Sequence, residues 1–412
     1  MRTDEMRDFD CESSDIPPFT WEQDLPEVSV GGGNCDIPGF SNLQIQAAVE
    51  RVAALGGGIV RLSPGVFKMR DSLHLRTNVL VRGAGPETVL KKEPMKKSRL
   101  IAFMGYGHRA FDVAEPDLFE PGDGVLVSSA ATGGFLDTVA TLVRKEGATW
   151  IMDRPACMDY SNSQAGCVRT LFPLVEASQV RNAVLEDLVL DGNSSENEML
   201  NGCRGGAFYA YRSSGVIVRK VNAVNFNGDG FSFQTCKDVQ IDSCSAESCS
   251  GHGFHPGSGS ARCAVRRSSA RKCGECGLFY CLKVRDTVVE DCVFEGNRSH
   301  GLLVWARDDD NTNRKLTIRH NGGCGISFMD TPPGQESSRQ TFEECVLEEN
   351  AARDGNAEIF LIGGGSGIRL IRNKIVRRPG IPAILVARGM PRFENVMNEI
   401  TPAGPDAIVN QT

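Results

Sequence analysis

Apolar and polar positions alternate in short bursts along this chain, and a glycine announces each burst. Gly206, Gly230, Gly253, Gly277, Gly301 and Gly325 recur at separations of 24, 23, 24, 24 and 24 residues. An apolar residue follows each one: Ala207, Phe231, Phe254, Leu278, Leu302 and Ile326. Two positions later stand Tyr209, Phe233, Pro256, Tyr280, Val304 and Phe328. Alternation at a period of two marks a strand with one buried face. One short strand per unit at a fixed repeat length is the signature of a solenoid whose units cannot bury their faces alone. Helical repeats are usually longer and carry a period of about 3.6 residues, which this stretch lacks. The pattern predicts an all-β fold, a single-stranded right-handed parallel β-helix with one coil per repeat.

Outside the repeat the pattern changes three times. Residues 1–35 read as an extended, acidic, proline-bearing arm ending at Gly31-Gly32-Gly33. Ser41-Asn-Leu-Gln44 is a capping-box pattern opening an amphipathic helix, Ile45 to Leu55, that stops at Gly56-Gly57-Gly58. Leu43, Ala47, Val49 and Val52 line its expected apolar face. With the alternating stretches IVRLSPGVFKM and LHLRTNVLVRGAGPETVLKK, this helix makes 36–105 a cap followed by first coils. From 106 to 180 the coil pattern lapses into short strands with Gly/Pro turns, a small β insertion. Coils resume for 181–412, loosening after DTPPGQESSRQ.

Composition narrows the function classes. A net charge of −7 and a pI near 5.6 argue against nucleic acid or an anionic membrane as partner. No apolar run approaches a membrane span. The polar, acidic start is not a secretory leader, which places the protein in the cytoplasm if the chain is full length. Fifteen cysteines are many for 412 residues. Cys249 and Cys273 are 24 apart and Cys276 and Cys324 are 48 apart, so they stack as small buried thiols in turns; disulfides between rungs are the alternative in an exported protein. Cys273-Gly-Glu-Cys276 has no second pair at zinc spacing.

The position before each repeat glycine reads Gly205, Asp229, His252, Cys276, His300 and Cys324. Stacking puts Asp229 and His252 about one strand spacing, ~4.8 Å, apart, with His300 two rungs beyond His252. His255 follows two residues after its glycine. Titratable groups converging on one face are the expected form of an acid–base site, so Asp229, His252, His255 and His300 are catalytic candidates, with Asp229 and His252 as the pair. Each histidine also has the plainer reading of a turn residue. Lys283, Arg285 and Arg307 lie past strand ends, where they can clamp a carboxylate, and Trp305 faces outward, where it can stack a sugar ring. Asp308 and Asp310 offer hard oxygen ligands for Ca²⁺, or a solvated turn. Arg262, Arg266, Arg267, Arg271 and Lys272 form a basic cluster that reads as a solvated face or as an attractor of acidic glycans.

The stretch IQAAVERVAALGGGIVRLSPGVFKMRDSLHLRTNVLVRGAGPETVL resembles the N-terminal cap and first coils of the pectate-lyase superfamily. That resemblance implies a helix plugging the open end of the solenoid. Asn227-Gly-Asp229-Gly-Phe-Ser-Phe and Ser250-Gly-His252-Gly-Phe resemble two coils of polygalacturonase-type glycoside hydrolases, which implies Asp229 as a catalytic carboxylate oriented by His252. The adjacent Asp-Asp pair of those enzymes is missing, and an inverting hydrolase needs both an acid and a base. HGFHPGSGS, CGLFYCLKVRD and SHGLLVWARDDDNTN are similar to a group of bacterial β-helix-repeat proteins without assigned activity. The implied function is a carbohydrate-active enzyme on an acidic poly- or oligosaccharide. A polysaccharide lyase is favoured over a glycoside hydrolase, an epimerase or a non-catalytic glycan-binding β-helix.

Overall fold

The computed structural model describes Trp21, residues 25–353 and residues 355–411. Most of the expected N-terminal arm lies outside these. The arm's last part is itself a strand, Glu27–Gly31, paired in parallel with Gly58–Leu62.

Three parallel sheets wind into a β-helix. The front sheet has eleven strands, from Leu73–His74 through Val175–Ser178, Gly206–Tyr211, Asp229–Gln234, Phe254–Gly257, Leu278–Tyr280 and Leu302–Val304 to Ile408–Asn410. Two back sheets share the long strands Val184–Asp191 and Ile217–Val224 and separate in later coils. Inward side chains stack rung on rung. Phe231 pairs with Phe254, their rings 5.3 Å apart and 14° from parallel, and Phe254 pairs with Leu278.

The repeat glycines are required by crowding. A Cβ on Gly253 would stand 2.2 Å from the Ala270 Cβ, and one on Gly301 2.2 Å from the Ile318 Cγ2. The front and back sheets therefore meet where only glycine fits. The first interval departs from the expected 24: Gly206 pairs with Asp229 and Phe208 with Phe231. Ala210, not Tyr209, thus takes the inward position opposite Phe233, and Tyr209 turns to the outer face beside Ser232. A one-residue slip in a period-two element exchanges its faces.

Corners are made by left-handed residues that are mostly not glycine. Between the back sheets, Ser243, Arg267, Asp291, Lys315, Glu344 and Arg372 all have φ between 48° and 55°. The basic cluster sits at these corners and strands, where acids on adjoining rungs take up its charge: Arg262 with Asp238 at 2.8 Å, Arg267 with Asp242, Arg271 with Glu295 at 3.2 Å. Before the front strands, Cys249 and Cys273 lead into a buried column of Asn297, Asn321 and Asn350. Each asparagine there accepts a backbone N–H from the preceding rung or donates back to it. All described cysteines are free thiols.

The cap helix runs Asn42–Ala54 with Ser41 as N-cap. It buries Asn42, Ile45, Ala48, Val49 and Val52, while Leu43 is exposed and Ala47 also faces solvent. Leu43 and Ala47 are therefore corrected out of the apolar face; the packed stripe is rotated toward Ile45 and Ala48. The interruption of the coils is a six-stranded antiparallel sheet from Lys97–Arg99 to Cys167–Arg169, with its own core around Phe111, Leu142, Trp150 and Tyr160. It begins and ends earlier than the expected 106–180, since Val175–Ser178 is already a front-sheet rung. No described helix is long and apolar enough to cross a membrane.

Gly253→Ala is expected to destabilise the fold by about 1–3 kcal/mol through overpacking. Gly32→Ala, whose Cβ would meet no atom within 4 Å, is expected to leave the melting midpoint unchanged. Thermal denaturation followed by circular dichroism checks both.

Candidate functional site

Alternation within each front strand turns one line of side chains outward: His74, Glu176, Tyr209, Ser232 and His255 occupy paired positions on successive rungs, and Phe279 and Leu303 continue the line. Chemistry gathers at two places along it.

The first is around Asp229. Its Oδ2 lies 2.6 Å from His255 Nδ1, and its Oδ1 accepts the His252 backbone N–H at 2.7 Å. Both Asp229 and His255 are buried. Burial alone would raise the carboxyl and lower the imidazole. Their mutual hydrogen bond and opposite charges outweigh it, so Asp229 sits below its usual value and His255 above its own. His255 Nε2 is buried with no hydrogen-bond partner among the described residues. Gly202 covers the pair so closely that a Cβ there would fall 1.8 Å from Asp229 Oδ2. The next residue is Cys203. The neighbouring Cys281 thiol, against burial and with help from the His255 imidazole, draws the Cys203 thiol below its usual value.

The expected pair is thereby rearranged. Asp229 and His255, 26 residues apart, make the side-chain contact; His252 contributes its backbone. The His252 ring lies 5.4 Å from that of His255, its Nδ1 accepts the Cys276 N–H at 3.2 Å, and burial pushes it down to about 4, so it is neutral at pH 7. His300 repeats this bond two rungs later, its Nδ1 accepting the Cys324 N–H at 2.9 Å, and burial lowers it too. Both rings thus act as turn acceptors, and neither offers a free basic lone pair at Nδ1. Trp305 stacks on Phe279 at 6.2 Å, and Phe279 in turn packs on His255 at 5.2 Å, forming an aromatic step beside the dyad.

The remaining candidates do not join this cluster. Lys283, Arg285 and Arg307 are exposed; Lys283 and Arg307 are left-handed corner residues past the strand ends. Asp308 is fully buried, accepts the backbone N–H groups of Val284 at 2.8 Å and Trp305 at 3.0 Å, and is pushed up to about 7 by burial. Asp310 is paired with Arg339 at the surface. The two carboxylates serve different faces of one corner and do not converge as Ca²⁺ ligands, and no described group of three His, Cys, Asp or Glu side chains is placed to hold a metal ion.

The second place lies up the same line, where the insertion leans over the first rungs and encloses a cavity of about 630 Å³. His74 forms its base, with Nδ1 2.9 Å from Glu176 and Nε2 3.5 Å from Asp71. Burial opposes the charge on His74, but bonds to both carboxylates raise it to about 10, and Glu176 falls below its usual value in response. Thr141 of the insertion donates to Asp71 at 2.6 Å. Neither these residues nor the Gly202–Arg204 turn stands out in the sequence. They lie in irregular or single-rung stretches with no repeat to align, and only the outward alternation of Leu73–His74 hinted at them.

The family described as "right handed beta helix region" matches residues 175–283. No curated protein matches at the sequence level. Solved structures match over most of the chain. The A-module of the mannuronan C-5 epimerase AlgE4 from Azotobacter vinelandii has a TM-score of 0.53 at 15% identity, covering 90% of this chain and 96% of the module. The polygalacturonase from Erwinia carotovora ssp. carotovora has 0.51 at 12%, covering 97% and 98%. The Dettilon tailspike protein has 0.56 at 11%, covering 90% of this chain and 65% of the tailspike. The chain has the right-handed parallel β-helix fold that these structures share.

His74 supplies a pH test of this geometry. Its pKa is raised from 6.5 to about 10, so the stability it confers is fully present below pH 6.5 and lost as pH climbs through 10. His74→Ala is expected to cost about 1.5–3 kcal/mol at pH 6 and little near pH 10, read by urea denaturation at both values.

Proposed function

We propose that this protein is an acid–base enzyme acting on an acidic carbohydrate laid against the outer face of the front sheet, with His255 as the proton-transferring group and Asp229 as its orienting partner. The observation that carries this is the 2.6 Å Asp229–His255 contact with Nε2 left unpartnered. A carboxylate holding Nδ1–H leaves Nε2 as the atom that takes or delivers a proton. The aromatic step of Phe279 and Trp305 suits a sugar face. The carbohydrate class is supported by the fold, shared with proteins named as a mannuronan epimerase and a polygalacturonase.

An imidazole base favours removal of the C5 proton of a uronate over a hydrolytic carboxylate pair. In β-elimination the neutral form of His255, populated as pH rises past its raised pKa, takes that proton at Nε2, the freed electron pair forms the C4–C5 double bond, and the C4–O bond breaks as Nε2–H returns the proton to the leaving oxygen. The Gly202–Cys203 turn must lift for a sugar to reach Nε2.

Polyuronides and neutral glycans are incubated with the protein, following ultraviolet absorbance of unsaturated uronates, new reducing ends and C5 configuration by NMR. The expected result is unsaturated product whose formation falls about 10²–10⁴-fold in His255→Gln and is unchanged in His320→Ala, a surface variant. Reducing ends without unsaturation would replace elimination by hydrolysis, and inverted C5 at constant chain length would replace it by epimerisation. No change in any glycan would overturn the enzyme reading.

A further inference from the structure

The cavity under the insertion is separate from the Asp229–His255 dyad. Its floor is the first three front-sheet rungs, carrying His74, Glu176, Tyr209 and Tyr211, and its wall is the insertion, with Val139, Thr141 and Arg154. At about 630 Å³ it has the size of a small-molecule site. In a protein of net charge −7, the cations around it (His74, Arg76, Arg154, Arg204) outnumber the lining carboxylates Glu176 and Asp153. Some of that charge is already engaged: His74 with Glu176, Arg76 with Glu50, and Arg154 near both Glu176 and Asp153.

Arg204 is different. It donates to the Phe135 carbonyl and the Cys157 sulfur, meets no carboxylate at ion-pair distance, and its Nε is buried without a partner. A guanidinium with an unused donor in a recess is suited to a carboxylate, which takes two parallel N–H donors. Tyr209 and Tyr211, with parallel rings 6.5 Å apart, add aromatic surface to the same recess. The front sheet also begins here. Leu73–His74 is its terminal strand, and the His74 backbone is already tied to Gln46 of the cap helix. A glycan lying along the outer face therefore has no further rung to follow past this cavity.

We infer that the cavity is an anion-recognising subsite for the terminal uronate of an acidic glycan, with Arg204 holding the carboxylate and the tyrosines facing the ring. This rests on the acidic-carbohydrate reading above and adds to it where the chain end is anchored. Arg204 also belongs to the turn that covers the dyad, so an occupied cavity and an uncovered His255 share one segment.

The test is binding, by isothermal titration of the full chain with galacturonate and mannuronate trisaccharides, neutral trisaccharides, and sulfate. The expected result is that a uronate trisaccharide binds at least about tenfold more tightly than its neutral counterpart or sulfate. Arg204→Ala should weaken it by about tenfold or more, and Val139→Trp, which fills the recess and keeps every charge, should remove it. His255→Gln should bind as wild type does. Absence of uronate binding, equal binding of neutral sugars or sulfate, or indifference to both Arg204→Ala and Val139→Trp in folded protein overturns the inference. Turnover that needs His255 while binding ignores Val139→Trp would sink the subsite and leave the enzyme reading standing. Binding that needs Arg204 without turnover of any glycan would do the reverse.

Discussion

Rung-to-rung register is the constraint on which everything else in this molecule depends. Each front strand is only two to six residues long and has no stability of its own; it exists because parallel neighbours above and below supply its hydrogen bonds and its apolar contacts. Keeping that register over many coils demands nearly constant coil length. Crowding at the glycine fixes it on one side, where a Cβ at Gly253 or Gly301 would collide with the back sheet. Buried polar columns fix it on the other: Asn297, Asn321 and Asn350 hold the turn amides of adjoining coils, and losing one would strand buried backbone donors. Left-handed corners every coil complete the frame.

The dyad is a product of this register. Asp229 opens one front strand and His255 is the second residue of the next, so they touch because a 23-residue step superposes Ser232 on His255 and tilts the carboxylate across one rung. In water such a contact between two side chains contributes little. Under Gly202, with both groups buried, the hydrogen bond and charge hold the pair ionised in a place where either group alone would be neutral. The same arithmetic places His252 and His300 in identical bonds to turn amides, which is why two histidines that look alike in sequence to His255 have a different chemistry.

Much of the fold was legible in the chain because a period of 23 or 24 residues survives substitution of nearly every residue within it. The helix at 42–54, the parallel coils and the outward Trp305 follow from local pattern alone. Three things did not. The first interval is 23, not 24, and the glycine doublet Gly205-Gly206 offers no means to choose, although that one residue decides whether Tyr209 or Ala210 faces inward. The partner of Asp229 depends on how a side chain leans between rungs, which periodicity does not encode, so the adjacent His252 was preferred to His255. The cavity and its arginine arise from long-range docking of an insertion and an irregular turn, neither of which repeats. Asp308 and Asp310 look like a cation site in sequence, but they flank a corner at which Asp308 turns inward and Asp310 outward.

The central claim is that register makes Asp229 and His255 a charged, coupled dyad. ¹⁵N NMR of the histidine side chains as a function of pH, in the wild type and in Asp229→Asn, tests it most directly. The prediction is that His255 titrates above the ordinary histidine value and drops when Asp229 loses its charge, while His252 stays neutral until pH falls toward about 4. A His255 that titrates at or below 6.5 in the wild type, or that ignores Asp229→Asn, would contradict it.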